Sequence, residues 1–309
     1  MGSKNTRLGI PDANINQLPS EYLAMGSTLL NRVQNPYLGQ VPVSSFLGGA
    51  TLTQQQLLRP FPRFTTVALF RNNVGNSSYN AAIAKVEKRL SGGLMVNAAY
   101  TFSKLIDDAS SVFSQSIFTG PVLNNSGAAD AYNRHLEKDV STGDIPQVFA
   151  LGWVYDLPRW WKISGWQIAG LVRVQTGAAL AVTQAVNNNA ALGFAVQRPN
   201  RISDPNQYKG RSLAGYFNTA SFVAAPQFVI GNSSRNPVRG PGLQNADLMI
   251  GKTFRISERL AVNFRAEVFN VSNTPPLNDA SGSFGSASFG SITSAGNPRV
   301  FECVAKFQF

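Results

Sequence analysis

Apolar side chains recur at every second position in seven segments between residues 79 and 309. In residues 94–103, for example, one face is made of Leu94, Val96, Ala98, Tyr100 and Phe102. A period of two is that of a β-strand, whose successive side chains point to opposite faces. Strands of about ten residues with one apolar and one mixed face are typical of transmembrane β-barrels. The other segments cover residues 82–90, 149–157, 166–175, 246–256, 260–268 and 299–309.

Short and long connections alternate between these segments. The short turns fall at residues 91–93, 158–164 and 257–259. Outer-membrane barrels have short periplasmic turns and long extracellular loops, and every short turn falls in the periplasm if the chain ends there. We therefore predict an all-β, antiparallel barrel segment of about seven or eight meandering strands. Residues 107–146, 183–242 and 273–297 are long connections rich in Gly, Asn, Ser and Pro and are expected to hold little regular structure. Residues 9–78 form another long connection, in which some extended structure such as Phe64–Phe70 is expected.

The composition fits this interpretation. Charged residues make up 14% and hydrophobic residues 43% of the 309 residues, yet no apolar run approaches the roughly 18 residues of a membrane-spanning helix. The N-terminus has no apolar stretch typical of a signal peptide, so we expect a fragment or a truncated gene product. The net charge of +11 is spread over scattered Lys and Arg residues, which favours a basic surface and lumen over nucleic-acid binding.

The residue types that catalysis and metal binding need are scarce. Cys303 is the only cysteine and His135 the only histidine, so neither an intrachain disulfide nor a site with several histidines is possible. His135, Glu137 and Asp139 together are more typical of a solvated loop than of a metal site. We therefore expect no enzymatic activity, no catalytic residue, no metal and no cofactor.

A soluble β-sandwich is the alternative fold, because its strands also alternate. The barrel is favoured since one face is consistently aromatic and aliphatic while the other carries ionisable groups. A sandwich would also rarely need four long loops at one end.

Ionisable side chains on the mixed faces of the predicted strands are candidate lumen-facing residues. They could line a substrate path or the wall against which a plug domain docks. The favoured interpretation is that they pair with one another across strands, since opposite charges on neighbouring strands stabilise by roughly 0.2–1 kcal/mol. The candidates are Lys85, Glu87, Arg89, Arg173, Arg255, Arg265, Glu267, Glu302 and Lys306.

Aromatic residues cluster around the predicted periplasmic turn at residues 158–164. We interpret them as an interfacial aromatic girdle rather than a sugar-binding platform. Lys88 and Lys252 fall on the apolar face, where a lysine is tolerated only near the membrane interface. The girdle candidates are Trp153, Tyr155, Trp160, Trp161 and Trp166.

Several stretches resemble the barrels of TonB-dependent receptors of the Oar-like group. They are YNAAIAKVEKRLSGGLMVNAAYTFSKLIDD (79–108), GWQIAGLVRVQTGAAL (165–180) and DLMIGKTFRISERLAVNFRAEVFNVSNTPP (247–276). INQLPSEYLAMGS (15–27) and LLRPFPRFTTV (57–67) resemble an extracellular loop of the same group. The terminal aromatics Phe307 and Phe309 also resemble the signal that the barrel-assembly machinery reads.

The resemblance implies the C-terminal part of an outer-membrane receptor. Residues 1–78 would be a strand remnant and a long extracellular loop, and residues 79–309 the C-terminal barrel strands. Expected partners are outer-membrane lipid, the barrel-assembly machinery, a small-molecule or peptide ligand, and the plug and further strands of a parent protein, through which TonB would act. The alternative function is a structural or adhesive barrel without transport. We further predict an open curved sheet, and a closed ring with paired first and last strands would refute this.

Overall fold

The computed structural model describes residues 2–8, 13–42, 44–69, 73–109, 114–116, 120–122, 128–158, 165–257 and 260–308. One antiparallel sheet organises the chain, and its strands lie side by side in chain order. A two-residue strand, Asp139–Val140, extends the sheet beside β3. The eight main strands are β1 (Gly2–Leu8), β2 (Gly75–Ser91), β3 (Leu94–Asp107), β4 (Gln147–Asp156), β5 (Trp166–Gln175), β6 (Leu243–Arg255), β7 (Ala261–Phe269) and β8 (Val300–Gln308).

The register of the strands brings the apolar positions onto one face. Tyr100 on β3 lies opposite Phe149 on β4, which in turn lies opposite Val174 on β5. The same holds across β7 and β8, where Val268 lies opposite Phe301. Residues directly opposite in a ladder project to the same side of a sheet. The seven predicted segments therefore form one continuous apolar face, and we call the opposite side the mixed face.

The turn between β2 and β3 shows how sequence sets this register. Ser91 pairs with Leu94, and the two intervening residues, Gly92 and Gly93, have φ angles of 60° and 79°. A two-residue hairpin turn that matches strand twist needs positive φ at both positions, which glycine adopts without strain. A side chain at Gly93 would also meet the Asp156 carbonyl at 2.5 Å.

The sheet is open, as predicted. Among the described residues, β1 pairs only with β2 and β8 pairs only with β7, so each outermost strand has one unpaired edge. The edge amides and carbonyls of these strands would have no partner in hydrocarbon, which makes a solitary open sheet unstable in lipid.

All long connections emerge at one end of the sheet, which we call the loop end; the short turns lie at the opposite turn end. The connections contain the α-helix Gln54–Leu57 and the 3-10 helices Ser20–Leu30, Arg134–Glu137, Ala190–Leu192 and Thr219–Ser221. None of the helices in the described chain combines the length and apolar character needed to cross a bilayer. Short strands pair as Ala13–Asn14 with Ala68–Leu69, Arg32–Gln34 with Thr51–Thr53, Ser114–Ser116 with Gly120–Val122, Ala179–Leu180 with Val238–Arg239, Thr183–Gln184 with Ser283–Phe284 and Asn200–Arg201 with Phe222–Val223.

These connections pack into what we call the loop layer, so the expectation of little regular structure in residues 107–146, 183–242 and 273–297 was wrong. In the first connection, the extended structure expected within Phe64–Phe70 is present at Ala68–Leu69. Leu18 donates its N–H to Leu192, and Tyr216 donates to Gly290, each across two different connections. Two apolar clusters hold the layer together. One contains Leu18, Leu23, Leu29, Leu192 and Phe194, and the other contains Leu180, Val182, Phe217, Phe222, Val238, Ala280 and Ile292.

The buried apolar side chains of the described chain all lie in the loop layer and none lies in the eight strands. Both faces of the sheet lack a protein cover. On the apolar face Phe301 is 69% exposed, and on the mixed face Leu171 is 62% exposed. Apolar surface in water costs about 25 cal/mol per Å². The apolar face therefore requires a non-aqueous surrounding, which a bilayer provides.

Candidate functional site

Three of the candidate lumen-facing residues form a charged row along β2. Lys85 Nζ lies 3.3 Å from Glu87 Oε2, and Arg89 Nε lies 3.9 Å from Glu87 Oε1. The side chain of Arg89 is 94% exposed. Pairs this exposed contribute little stability, between about 0 and 1 kcal/mol. The row is thus hydrated and leaves its charge available to the space beside the mixed face.

A second group lies on β7 and β8. Arg265 Nη1 is 3.6 Å from Glu267 Oε1 on the same strand, and Glu267 lies directly opposite Glu302. Like charges directly opposite are destabilising, and Arg265 partly offsets the repulsion. Lys306 lies further along β8, opposite Asn263. The ion pairs seen between candidate residues therefore run along strands, not across them as expected.

The remaining two candidates stand apart from these groups. Arg173 on β5 lies opposite Asn245 and donates from Nε to Gln175 Oε1 at 2.9 Å. Arg255 is exposed at the turn end of β6, opposite Ala261. The nine charges therefore spread over the mixed face and do not converge on one catalytic or metal centre.

Between the charged groups, the mixed face has an apolar hollow of about 390 Å³. Met95, Val154, Leu171 and Met249 line it, and Glu267 stands at its border. Small residues on the central strands leave this space open. The mixed face thus offers apolar as well as charged contacts to whatever fills the lumen.

The aromatic candidates that the structure describes lie on the apolar face. Trp153 lies opposite Gly170, where an added Cβ would meet the indole Nε1 at 2.6 Å. The ring therefore lies over Gly170 because that position has no side chain. Tyr155 and Trp166 lie nearer to the turn end. Trp160, Trp161 and Phe309 lie outside the described residues, and Phe307 is 59% exposed on β8.

The two lysines on the apolar face lie towards the turn end. Lys252 Nζ is 5.1 Å from the centroid of the Trp166 ring, directly across the ladder, and 5.6 Å from that of Phe254. Lys88 lies opposite Val96, three residues before the end of β2. A lysine surrounded by aromatic rings is the arrangement expected at a membrane interface, where the ammonium group reaches the polar region.

Three buried or half-buried ion pairs hold the connection of residues 183–242 against its neighbours: two reach the connection between β3 and β4, and one reaches the last residue of β3. Arg198 Nη2 lies 2.6 Å from Glu137 Oε2, and these side chains are only 4% and 7% exposed. Arg235 pairs with Asp107, and Arg239 Nη2 lies 2.5 Å from Asp144 Oδ2. Burial lowers the pKa of Arg198, while Glu137 opposes that shift. Each of these arginines is thus paired with a carboxylate from the neighbouring connection or from the end of β3.

This set of pairs was missed, although the sequence contains a signal. Residues 107–146 carry six acidic and two basic residues, a net charge of −4, whereas residues 183–242 carry one acidic and six basic residues, a net charge of +5. Opposite net charges on two connections at the same end of a sheet favour their association. Glu137 is therefore buried against Arg198, in contrast to the solvated loop expected for it. Among the described residues, no group of three or more potential ligands could hold a metal ion.

A polar pocket of about 680 Å³ opens at the loop end. Ser77 and Asp107, directly opposite each other on β2 and β3, form part of its floor. Arg134, His135 and Lys138 line it from the neighbouring connection. Arg134 Nη2 lies 3.0 Å from Asp108 Oδ1, so part of this charge is already paired.

Comparison with known proteins agrees with this architecture. A family model described as an outer membrane beta barrel domain matches residues 1–302. Among solved structures the chain is similar to P. aeruginosa FpvA bound to heterologous pyoverdines, with 13% identity and a TM-score of 0.40. That match covers 99% of this chain but only 23% of the FpvA chain. No curated protein matches. Because the family model covers nearly the whole chain, the protein belongs to the family of outer-membrane β-barrel domains and resides in the outer membrane.

Proposed function

We propose that this chain is the C-terminal barrel part of a TonB-dependent receptor of the Oar-like group, and that it contributes to ligand capture and uptake. The open sheet, with its folded connections at one end, is the main support for this proposal. Two unpaired edges call for further strands, and the loop layer gives the completed barrel a structured outer surface. Residues 79–309 supply barrel strands, while residues 1–78 supply one strand and an extracellular connection.

The mixed face supports a lumen through which a ligand passes. Its charges are exposed or half-buried and distributed over five strands, and an apolar hollow of about 390 Å³ lies between them. The nine candidate residues would line that lumen. In this proposal the chain contributes to binding and passage of the ligand, and no residue is assigned a catalytic role.

The proposed partners follow from the same surfaces. Outer-membrane lipid contacts the apolar face, with Trp153, Tyr155, Trp160, Trp161 and Trp166 as the interfacial girdle. The barrel-assembly machinery reads the terminal aromatics Phe307 and Phe309. A plug and further strands complete the barrel, and TonB acts only through that complete protein.

Uptake is tested in cells that produce the complete protein and in cells that lack its gene. Solutes accumulated from a complex medium are compared by mass spectrometry, with and without an uncoupler of the proton-motive force. We expect at least one solute to accumulate only in producing cells, and only without the uncoupler. Identical solute profiles in the two strains would refute uptake.

A structural or adhesive barrel is the second candidate, and the cross-braced loop layer favours it. Its three ion pairs, two between connections and one to the end of β3, hold the outer surface in one arrangement, which suits permanent attachment better than closure on a ligand. Adhesion predicts that producing cells bind surfaces or other cells equally well with and without the uncoupler. The same two strains therefore distinguish the two functions.

A further inference from the structure

Buried polar side chains donate hydrogen bonds to the backbone carbonyls of a short loop in the first long connection. We call residues 60–66 the display loop. Asn16 Nδ2 donates to the carbonyl oxygens of Phe61 and Phe64, at 3.0 and 2.6 Å. Gln56 Nε2 donates to those of Pro62 and Phe64, both at 2.8 Å. Asn16 is fully buried and Gln56 only 3% exposed.

Further constraints fix the backbone of the display loop. Arg59 Nη1 donates to the Thr65 carbonyl at 2.8 Å, and its Nη2 donates to the Ala191 carbonyl of another connection at 2.6 Å. The Phe64 N–H closes a turn onto the Phe61 carbonyl at 3.0 Å. Pro60 and Pro62 restrict φ on either side of Phe61. The loop is therefore rigid before any partner arrives.

The side chains of this rigid loop point away from the layer. Phe61 is 41% and Phe64 57% exposed, and the Arg63 guanidinium carbon lies 4.9 Å from the centroid of the Tyr37 ring. Aromatic residues and arginine are the types enriched at the centres of protein interfaces. A preorganised loop loses little conformational entropy on binding, so more of the contact energy appears as affinity.

Charge and hydrogen-bonding capacity narrow the class of partner. Among the described residues of this connection, two arginines, Arg32 and Arg63, and one glutamate, Glu21, are exposed, so its surface is weakly basic and attracts negative charge. Phenylalanine rings have no polar atom to bind sugar hydroxyls, and Asn16, Gln56 and Arg59 already occupy four loop carbonyls. An acidic glycan would find few hydrogen-bond partners here, whereas apolar side chains would find two exposed rings.

We propose that the display loop is a docking surface for a polypeptide segment that combines apolar and acidic side chains. Phe61 and Phe64 contact its apolar groups, and Arg63, stacked on Tyr37, pairs with a carboxylate. This inference goes beyond the proposed uptake function, because docking requires only the exposed loop and no transport.

The test measures binding to outer-membrane vesicles from cells that produce the complete protein. The probes are fluorescein-labelled peptides of alternating Glu and Leu, of alternating Lys and Leu, and of alternating Glu and Ser, together with a labelled acidic oligosaccharide. Fluorescence anisotropy gives Kd without any uptake step. The variants are Phe61→Ser/Phe64→Ser and Arg63→Gln. Phe46→Ser is the matched control, since Phe46 is 86% exposed on the same connection but outside the loop.

We expect saturable binding of the Glu–Leu peptide alone, with an affinity weakened about tenfold or more in both loop variants and unchanged in Phe46→Ser. The proposal is overturned if the Glu–Leu peptide does not bind, if Phe46→Ser weakens binding as much as the loop variants do, or if only the oligosaccharide binds. Because no readout depends on energised uptake, a failed transport experiment leaves this result interpretable.

Discussion

Replacing Glu137 by methionine should open the loop layer locally more than replacing both members of its ion pair. In Glu137→Met, the Arg198 guanidinium stays buried and loses the carboxylate 2.6 Å from its Nη2. Its Nη1 keeps the Leu136 carbonyl at 2.8 Å. The Ala129 N–H also loses its acceptor, Glu137 Oε1, which lies 2.8 Å away.

The structure sets the size of the effect. Removing one partner of a buried pair costs about 3–5 kcal/mol because an uncompensated charge remains. The double variant Glu137→Met/Arg198→Met buries no charge and leaves two backbone groups without partners, the Ala129 N–H and the Leu136 carbonyl. An unsatisfied buried group of this kind costs about 1–3 kcal/mol. The Ala129 N–H loses its acceptor in both variants, so the variants differ by an unpaired buried charge in the single one, at about 3–5 kcal/mol, and one unsatisfied carbonyl in the double one, at about 1–3 kcal/mol. The double variant should therefore be at least as stable as the single one.

The free energy of local opening is read from proteolysis. Outer-membrane vesicles that carry each variant are treated with subtilisin, and cleavage within residues 128–141 is followed by mass spectrometry. When opening is fast relative to cleavage, the rate follows the population of the open state. A cost of about 3–5 kcal/mol raises that population by about two to four orders of magnitude. Arg134→Met is the control: its pair with Asp108 is 28% and 14% exposed, so its cleavage should change far less.

Faster cleavage of the double variant than of Glu137→Met would contradict this prediction. In that case packing and hydrogen bonds, and not the unpaired charge of Arg198, would control opening. Equal cleavage of Arg134→Met and Glu137→Met would contradict the assigned importance of burial.

Two further predictions concern the sheet, and a third concerns the loop layer. Gly170→Val should displace the Trp153 ring, because a Cβ at position 170 would lie 2.6 Å from the indole Nε1, and tryptophan fluorescence in vesicles should shift accordingly. Val172→Arg places a charge on the apolar face and should lower the free energy of unfolding by about 2–4 kcal/mol if the position lies near mid-bilayer. Leu171→Arg, on the mixed face, should lower it much less. Both are measured by denaturant unfolding of the protein in vesicles. Burial, and then Asp130, raise the pKa of Tyr132, whose hydroxyl donates to the Ile15 carbonyl at 2.6 Å. That stabilisation is fully present below the unfolded-state pKa of about 10 and is lost as pH rises through the folded-state pKa, so the increase in protease sensitivity at alkaline pH should be smaller in Tyr132→Phe.

The strands could be predicted because two surroundings act on alternate residues. Positions that face hydrocarbon favour apolar side chains such as Tyr100, Phe149 and Val174. The pairing of the strands then places these three residues side by side. The period of two is local, so a single sequence contains it in full. The turn at Gly92 and Gly93 adds a second local signal, which fixes the register of β2 and β3.

The loop layer could not be predicted in the same way. Glu137 and Arg198 are 61 residues apart, and Asp107 and Arg235 are 128 apart. No periodicity joins such positions, and only the opposite net charges of the two connections indicate that they associate. The pinning of the display loop by Asn16 is likewise a tertiary effect, because an isolated Asn has no sequence pattern that marks it as buried.

The location of the buried apolar side chains has a thermodynamic consequence. Heat-capacity increments on unfolding arise mainly from apolar surface that becomes hydrated. While the strands remain in the bilayer, their apolar face stays in contact with lipid and little of it becomes hydrated. The heat-capacity change measured by calorimetry of vesicles should therefore come chiefly from unfolding of the two apolar clusters. The calorimetric transition should resemble that of a small water-soluble domain. The membrane-embedded sheet should contribute almost nothing to the measured heat capacity.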